Sequence, residues 1–481
     1  MRIKRKVRKL LLTSAFPEGY RRTGPPLGIG YIASVLLNRG YDVEILDPSP
    51  LNMSLEDMKK EFQKSQPDIV GVYCCSTERY EAFKLAHAVK ETSPDTVVVF
   101  GGPHPTALAE QIIERIQDVD LIVRNEGEIT MGELVLAMEK GRNLATVEGL
   151  TFRDGNGVVS TPTRPFISDL DSLPFPAYSL YPPLNMYAPQ GIAGKRCSGI
   201  IMSSRGCTFS CPFCYAPSFW GRMFRARGPK SVVDEMIYMR DALGVEFIKF
   251  FDDAFTLDMR RAEQICDEMV RRRTDLAFLI LSRVDTISKT LLRKLRAAGC
   301  EEIQYGVESG SPRILSAIGK RITVERVEKV LRWTKDAGIS THVFMMQGLP
   351  GETIEDMEST FKFLRRNAHN IDGIESAMTM LLPDTPLYES AKKLGLVDEE
   401  VWFSFENENK YLQRDPFSRY LPPYLENFDV EELIKYHRLV YILFHLQKRR
   451  LKKALPAVAG YLVHTHHALK DIKELLRYSF K

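Results

Sequence analysis

The chain has 481 residues, 44% of them apolar and 27% charged, with a formal net charge of +4. That length suggests about three domains, or two and an extension, each with apolar material enough for a core. The charge is too small for a dedicated nucleic-acid binder, and no run of ~18 or more apolar residues is present to span a bilayer.

At the start, basic residues precede a short apolar run, Leu10 to Phe16. Thr13 and Ser14 interrupt it, and Pro17-Glu18-Gly19 follows where a signal peptide would carry a small-residue cleavage site. A first strand and a cytoplasmic protein are expected. Apolar runs at 9–15, 42–47, 68–74, 96–100 and 121–124 alternate with amphipathic stretches at 28–39, 78–92 and 107–117. Continuous apolar strands separated by helices predict an α/β fold, here a Rossmann-like parallel sheet over residues 1–147. Such sheets bind ligands at the carboxyl ends of their strands. Those ends carry Pro25-Pro26-Leu27-Gly28, Ser76-Thr77, Gly101-Gly102-Pro103-His104 and Glu126-Gly127-Glu128. Glycines there let a flat ligand come close to the backbone.

Residues 148–195 read as a linker that docks against its neighbours. Gly155-Asn156-Gly157 marks a hairpin turn, and Pro174, Pro176, Pro182 and Pro183 punctuate the stretch beyond it. Over 196–400 the alternation resumes, with strands at 199–203, 247–251, 278–282, 302–307, 340–346 and 373–380 and helices such as 231–243, 259–272 and 324–337. Six βα units in a row predict a partial (β/α)6 TIM-type barrel whose site lies where strands end. Residues 401–481 turn helical. Positions 430–453 join an apolar stripe to a basic tail, Lys448-Arg449-Arg450 and Lys452-Lys453. The plain reading is a solvated helix face; the alternative is a surface that rests on a membrane or admits a greasy substrate.

The cysteines are Cys74, Cys75, Cys197, Cys207, Cys211, Cys214, Cys266 and Cys300, which is no disulfide framework for a chain this long. Cys207-Thr208-Phe209-Ser210-Cys211-Pro212-Phe213-Cys214 has the spacing C-x3-C-x2-C. A structural zinc site wants a fourth ligand, which neither a nearby histidine nor a second cysteine pair supplies. A disulfide would leave one thiol over, and buried core cysteines do not bunch on such a loop. The preferred reading is a 4Fe–4S cluster held by three thiolates, where electron-transfer clusters have four. One iron then keeps an open position that the amine and carboxylate of an amino acid can fill. An electron passed through it can break an adjacent sulfonium C–S bond, and the carbon radical formed attacks C–H bonds beyond the reach of any side chain.

The loop from Arg205-Gly206-Cys207 to Cys214-Tyr215, with Phe213 before its last cysteine, resembles the radical S-adenosylmethionine superfamily. Further matches occur in order along the chain. Phe250-Phe251-Asp252-Asp253-Ala254-Phe255-Thr256 resembles the second-strand motif that meets the methionine amino group. Ser282-Arg283-Val284-Asp285 and Gly306-Val307-Glu308-Ser309-Gly310 end the next two strands. Gln347-Gly348-Leu349-Pro350-Gly351-Glu352-Thr353 resembles the later glycine-rich turn, and Leu382-Pro383-Asp384-Thr385-Pro386-Leu387-Tyr388 the exit sequence. The resemblance implies that Cys207, Cys211 and Cys214 ligate the cluster and that Phe213 lies at the cofactor. It implies that Asp252, Asp253 and Glu308 accept hydrogen bonds from the ammonium or ribose hydroxyls of S-adenosylmethionine. Arg283 is expected to fork onto its carboxylate, and Gly348 and Gly351 to admit its adenine or ribose. For each acid alone, a strand-end cap or a salt bridge is the bland alternative.

The first domain, through PPLGIGYIASVL, PDIVGVYCCST, GGPHPTAL and RNEGE, resembles the cobalamin-binding module of one radical subclass. That implies cobalamin contacts from Pro26, Leu27, Gly28, Ser76, Thr77, Gly101, Gly102, Pro103, His104, Glu126 and Gly127. Many such modules carry Asp-x-His-x-x-Gly after the first strand, with the histidine on cobalt. Here the loop reads Pro17-Glu18-Gly19-Tyr20-Arg21-Arg22, so cobalamin is expected without a histidine ligand, or a relic module that binds none. His104 is expected to hydrogen-bond locally or to line the corrin pocket.

Together these resemblances imply methylation of an unactivated carbon of a hydrophobic or biosynthetic-intermediate substrate. The route would be a 5′-deoxyadenosyl radical and methylcobalamin, with a reductant such as flavodoxin or ferredoxin. Non-methylating cyclisation or carbon–carbon coupling on a tetrapyrrole or lipid is the alternative, since Phe219-Trp220-Gly221-Arg222-Met223-Phe224-Arg225 resembles the tetrapyrrole-cyclase branch. Transfer-RNA methylthiolation ranks low, because the first domain offers only Cys74 and Cys75. A non-enzymatic cobalamin or iron–sulfur sensor is the remaining class. Cys211→Ala is expected to abolish cluster assembly and leave cobalamin binding largely intact; iron content and corrin absorbance of one preparation check both.

Overall fold

The computed structural model describes residues 6–15, 21–155, 157–189, 197–404 and 421–447. Two compact units result, one of residues 1–207, 215–252 and 398–410, the other of 208–214, 253–397 and 411–481.

In the first unit, strands β1 (Lys9–Ser14), β2 (Asp42–Leu46), β3 (Ile69–Tyr73), β4 (Val97–Gly101) and β5 (Leu121–Val123) pair in parallel. Leu10, Leu12, Ile69, Val99 and Leu121 are buried in one core with Ile29 and Leu36 of the helix Leu27–Asn38. Burial on both faces explains why these strands read as unbroken apolar runs. The hairpin β6 (Leu150–Asp154) and β7 (Gly157–Ser160) adds two antiparallel strands, giving the order β2-β1-β3-β4-β5-β6-β7. Thus part of the expected linker completes the first sheet, with Leu121 opposite Phe152. The turn signal marked the hairpin; its docking edge depends on Leu150 and Phe152 meeting a core made elsewhere. Asn156 at its tip lies outside the described residues. The rest of the linker docks on the helix Leu27–Asn38: Ala177 N donates to Gly30 O at 3.0 Å, and a Cβ on Gly30 would sit 2.9 Å from Pro176 Cβ.

The first unit also holds the parallel pair β8 (Ser198–Ile201) and β11 (Phe247–Phe250), and the short antiparallel pair β9 (Ser204–Arg205) and β10 (Arg225–Ala226). In the second unit β12 (Ala277–Ser282), β13 (Cys300–Glu308), β14 (Ser340–Gln347) and β15 (Gly373–Met378) pair in parallel, in chain order. Their helices begin where the sequence supplies caps: Asp258, Ser288, Ser311 and Thr323 each accept from a first-turn N–H. Strands β8 and β11 to β15 are the six that the alternation predicts for a TIM-type barrel. The fold class is α/β, with a Rossmann-like and a TIM-type parallel sheet.

After the barrel strands, the helix Val430–Gln447 buries Leu433 against Met357, Met378 and Phe428. The basic tail from Lys448 to Lys453 lies outside the described residues. No helix among the described residues is long and apolar enough to cross a membrane.

One distant segment closes the first unit. The Val401 carbonyl accepts from Arg79 Nη2 at 2.8 Å, Arg79 Nε at 3.2 Å and Tyr80 Oη at 2.5 Å, and Trp402 is fully buried under the Arg79 guanidinium, 5.0 Å from its ring centroid. Trp402→Ala is expected to cost about 3–5 kcal/mol through the cavity it leaves. Chemical denaturation followed by hydrogen exchange at the helix Arg79–Thr92 measures it.

Candidate active site

The chain enters the cysteine loop through buried charge. Asp252, 1% exposed just past β11, accepts from Ser203 N at 2.7 Å, Ser203 Oγ at 2.6 Å and Ser204 Oγ at 2.5 Å. Three of its lone pairs are spent on the segment ahead of Cys207. Asp252 thereby braces that segment. Arg205 comes next, buried, with Nη1 2.6 Å from Glu126 Oε1 and Nη2 2.6 Å from Glu128 Oε1. Burial opposes its charge, but Glu128 and Glu126 more than offset that and raise its pKa. Glu126 also pairs with Arg225 at 2.7 Å and accepts from Ile167 N at 2.7 Å. It is thus an internal tie, and Gly127 beside it is covered by Ile32, 2.8 Å from where a Cβ would lie. Gly206 has φ +87°, and a Cβ there would lie 2.1 Å from Met223 O, so only glycine fits before the first cysteine.

The second unit receives residues 208–214. Cys214 N donates to Cys211 O at 3.1 Å, and Leu387 N to Pro212 O at 2.9 Å. Phe213 packs on Ile314, Ile318 and Leu349. Phe209 lies under the guanidinium of Arg283, 3.5 Å from ring centroid to Cζ. The Nε and Nη2 of this guanidinium fork onto Asp285 at 2.9 and 2.8 Å, and Nη2 also reaches Lys320 O at 2.7 Å. Lys320 Nζ pairs with Glu308 Oε1 at 2.6 Å. Glu308 stands at the end of β13 with φ +71°, a conformation costly for a residue with a side chain. Asp253 is exposed.

The glycine-rich turn is also committed to protein. Gly348 N and Leu349 N donate to Glu352 Oε2 at 2.7 and 3.1 Å, and Gly351 N to Glu426 Oε2 at 2.6 Å. Leu433 Cδ1 lies 2.9 Å from where a Cβ of Gly348 would be. Gly348 and Gly351, at φ +74° and +68°, shape a turn whose N–H groups meet Glu352 and Glu426.

The donor set fits an iron–sulfur cluster. Cys207, Cys211 and Cys214 are half-buried, in no disulfide, and share one eight-residue loop. No three His, Cys, Asp or Glu are gathered around one ion-sized point among the described residues. The other cysteines are held as thiols: burial pushes Cys75 and Cys266 up to about 12 and Cys74 and Cys300 well up. Thiols so held are poor ligands; Cys74, buried, and Cys75, half-buried, lie just past β3.

In the first sheet the order turns about β1, which opens a crevice at the carboxyl ends of β1 and β3. A Cβ on Gly28 would meet nothing within 4 Å, and one on Gly101 only Val123 O at 3.6 Å. This cradle leaves room for a flat macrocycle. Gly102, at φ +104°, is required by the turn itself, since a Cβ would lie 2.7 Å from Cys74 O. Pro26, Thr77 and Pro103 are half-buried beside it, with the Pro26 and Pro103 carbonyls accepting from Tyr181 and Tyr215 and Thr77 Oγ1 3.0 Å from Cys75 Sγ. Leu27, Ser76 and His104 are interior. His104 makes the local bond expected of it, Nδ1 to Ser76 Oγ at 3.0 Å, and burial beside Arg79 keeps its imidazole neutral. The histidine-free stretch Pro17-Glu18-Gly19-Tyr20 lies outside the described residues. A surface cavity of about 530 Å³, lined by Lys59, Phe83, His87, Glu91, Arg115 and Asp118, holds none of the expected residues.

Sequence reasoning missed Phe209, Arg205, Asp285, Lys320 and Glu128 as partners. Only Arg283 and Asp285, two apart at a strand end, carried a local signal.

Comparison with known proteins agrees with this geometry. Residues 201–364 match the radical SAM superfamily model and residues 20–135 the B12 binding domain model. The chain is 33% identical to an uncharacterized methyltransferase of Pyrococcus horikoshii over 95% of its own length and 97% of that protein's. It is 33% identical to an anaerobic magnesium-protoporphyrin IX monomethyl ester cyclase of Rubrivivax gelatinosus, covering 80% of this chain and 68% of the cyclase. Among solved structures it resembles the cobalamin-dependent S-adenosylmethionine radical enzyme OxsB with a TM-score of 0.72 at 19% identity, covering 98% of this chain and 75% of that one.

Glu352 gives the site a pH signature. Burial pushes its carboxyl up to about 7 from 4.5, against the N–H groups of Leu349 and Gly348 that favour the charged form. The fold therefore prefers the protonated acid, and stability present below pH 4.5 drains away as pH rises towards 7. Glu352→Gln is expected to remove that dependence, gaining relative to the parent between pH 5 and pH 8 by on the order of 3 kcal/mol. Denaturation midpoints of both proteins at the two pH values check it.

Proposed function

Since the chain belongs to the radical SAM superfamily and carries a B12 binding domain ahead of its core, we propose that this cobalamin-dependent radical S-adenosylmethionine enzyme methylates an unactivated carbon. The substrate class is a small hydrophobic or biosynthetic-intermediate molecule. The observation that carries this reading is the near full-length similarity to an uncharacterized methyltransferase, shared across both domains.

In this reading Cys207, Cys211 and Cys214 hold the 4Fe–4S cluster, and Pro26, Gly28, Thr77, Gly101, Gly102 and Pro103 border the cobalamin cradle. When bound, these groups supply one-electron cleavage of S-adenosylmethionine to a carbon radical and a carrier for its methyl group. The protein's own part is placement. Asp252 fixes Ser203 and Ser204, and Glu126 with Glu128 fixes Arg205, so the loop leaves a rigid stem. Glu308, held by Lys320 through one oxygen, keeps the other to accept from a ribose hydroxyl or the ammonium. Asp253, exposed, offers a second acceptor. A flavodoxin- or ferredoxin-type reductant in the cytoplasm would supply the electron, and the basic segment after Gln447 would supply any peripheral membrane contact.

The similarity to the tetrapyrrole cyclase supports a second reading, radical cyclisation or carbon–carbon coupling on a tetrapyrrole or lipid without net methyl transfer. Product analysis separates the two. Anaerobically reconstituted, reduced enzyme is incubated with S-adenosylmethionine and extract of its own host. Methylation is expected to yield both 5′-deoxyadenosine and S-adenosylhomocysteine, and Cys211→Ala neither. 5′-Deoxyadenosine alone favours cyclisation. Absence of both from cluster-loaded enzyme leaves only a cofactor-binding sensor.

A further inference from the structure

The cysteine loop has little secondary structure to hold it, yet it is anchored in the second unit at three points. One is the hydrogen bond to the Pro212 carbonyl, another the apolar seat of Phe213. The third is Phe209, midway between Cys207 and Cys211, which lies against a guanidinium at 3.5 Å. That separation is face-to-face contact, well inside the ~6 Å range of cation–π attraction.

Arg283 is held in place for this contact. It is 6% exposed, and its Nε and Nη2 are tied to Asp285 and to the Lys320 carbonyl, which fixes the plane with one face against Phe209. Its charge is matched by Asp285, and the neighbouring Lys320 by Glu308, so the patch is neutral overall. A compensated patch is a poor anchor for a free anion but a good platform for a ring. We infer that Arg283, clamped by Asp285, is a positioning residue: it holds Phe209 and thereby presets the Cys207–Cys214 loop in its cluster-binding shape before iron arrives. The inference rests on the loop being the cluster site, but not on any reaction outcome.

Apoprotein tests it without turnover. Alkylation of Cys211 and Cys214 by iodoacetamide, read by peptide mass spectrometry, reports how often the loop opens. Phe209→Leu and Arg283→Gln are each expected to speed modification by about 5- to 30-fold, the equilibrium worth of a desolvated cation–π contact. The double variant should match either single one, since both remove the same contact. Arg283→Lys keeps the charge but not the plane and should behave like Arg283→Gln; Phe209→Trp keeps a face and should behave like the parent. After reconstitution, the loosened variants should show reduced cluster occupancy and a broadened paramagnetic signal of the reduced cluster. Circular dichroism must stay at the parental value, and the rate at Cys211 and Cys214 is read relative to that at the buried Cys266, which reports global opening, so that lost stability is separated from loop opening; Phe209→Trp serves as the internal control. Unchanged alkylation in both single variants, additive effects in the double, or full rescue by Arg283→Lys overturns the inference. If alkylation changes as expected but no S-adenosylmethionine is cleaved, the positioning role stands and the proposed reaction falls.

Discussion

Compensated charge, buried on either side of the cysteines, is the constraint on which the rest of the site depends. Hydrophobic burial stabilises a fold but has no direction. A loop with three metal ligands and almost no secondary structure needs direction, and here ion pairs and charged hydrogen bonds supply it. Asp252 turns two serines, Glu126 and Glu128 grip Arg205, and Asp285 grips Arg283. Each such charge costs several kcal/mol to desolvate, and losing one partner typically costs about 3–5 kcal/mol because the other is stranded. The arrangement is therefore brittle to single substitutions in a way an apolar core is not.

The same contacts give several acids and bases a structural task. Asp252, Arg283, Glu126 and the glycine-rich turn are each engaged with protein, and those bonds fix the backbone around the loop and the crevice. In the crevice itself Gly28 and Gly101 leave the backbone uncovered.

Much of the fold was legible because doubly covered parallel strands must be apolar throughout, so runs such as Leu10 to Leu12 and Val97 to Phe100 announce themselves. Cys207, Cys211 and Cys214 were legible because their ligand spacing is local. The partners of Asp252 and Arg205 were not, since Ser203 lies 49 positions from Asp252 and Glu126 lies 79 from Arg205. A carboxylate motif looks the same whether it meets a ligand or a distant serine. The docking of β6 and β7 was hidden for the same reason: a turn declares a hairpin but not the edge it joins.

Trp402 has a consequence for how the molecule is made. The first unit takes in the segment around Trp402, so its interior is finished by a stretch of chain 322 positions beyond Arg79. While the ribosome works through the intervening strands, Arg79, Tyr80 and His104 wait without their cover. Vectorial synthesis cannot settle this unit first and forget it; its closure waits for the strands of the second unit to be made, and a chaperone has most to protect in that interval.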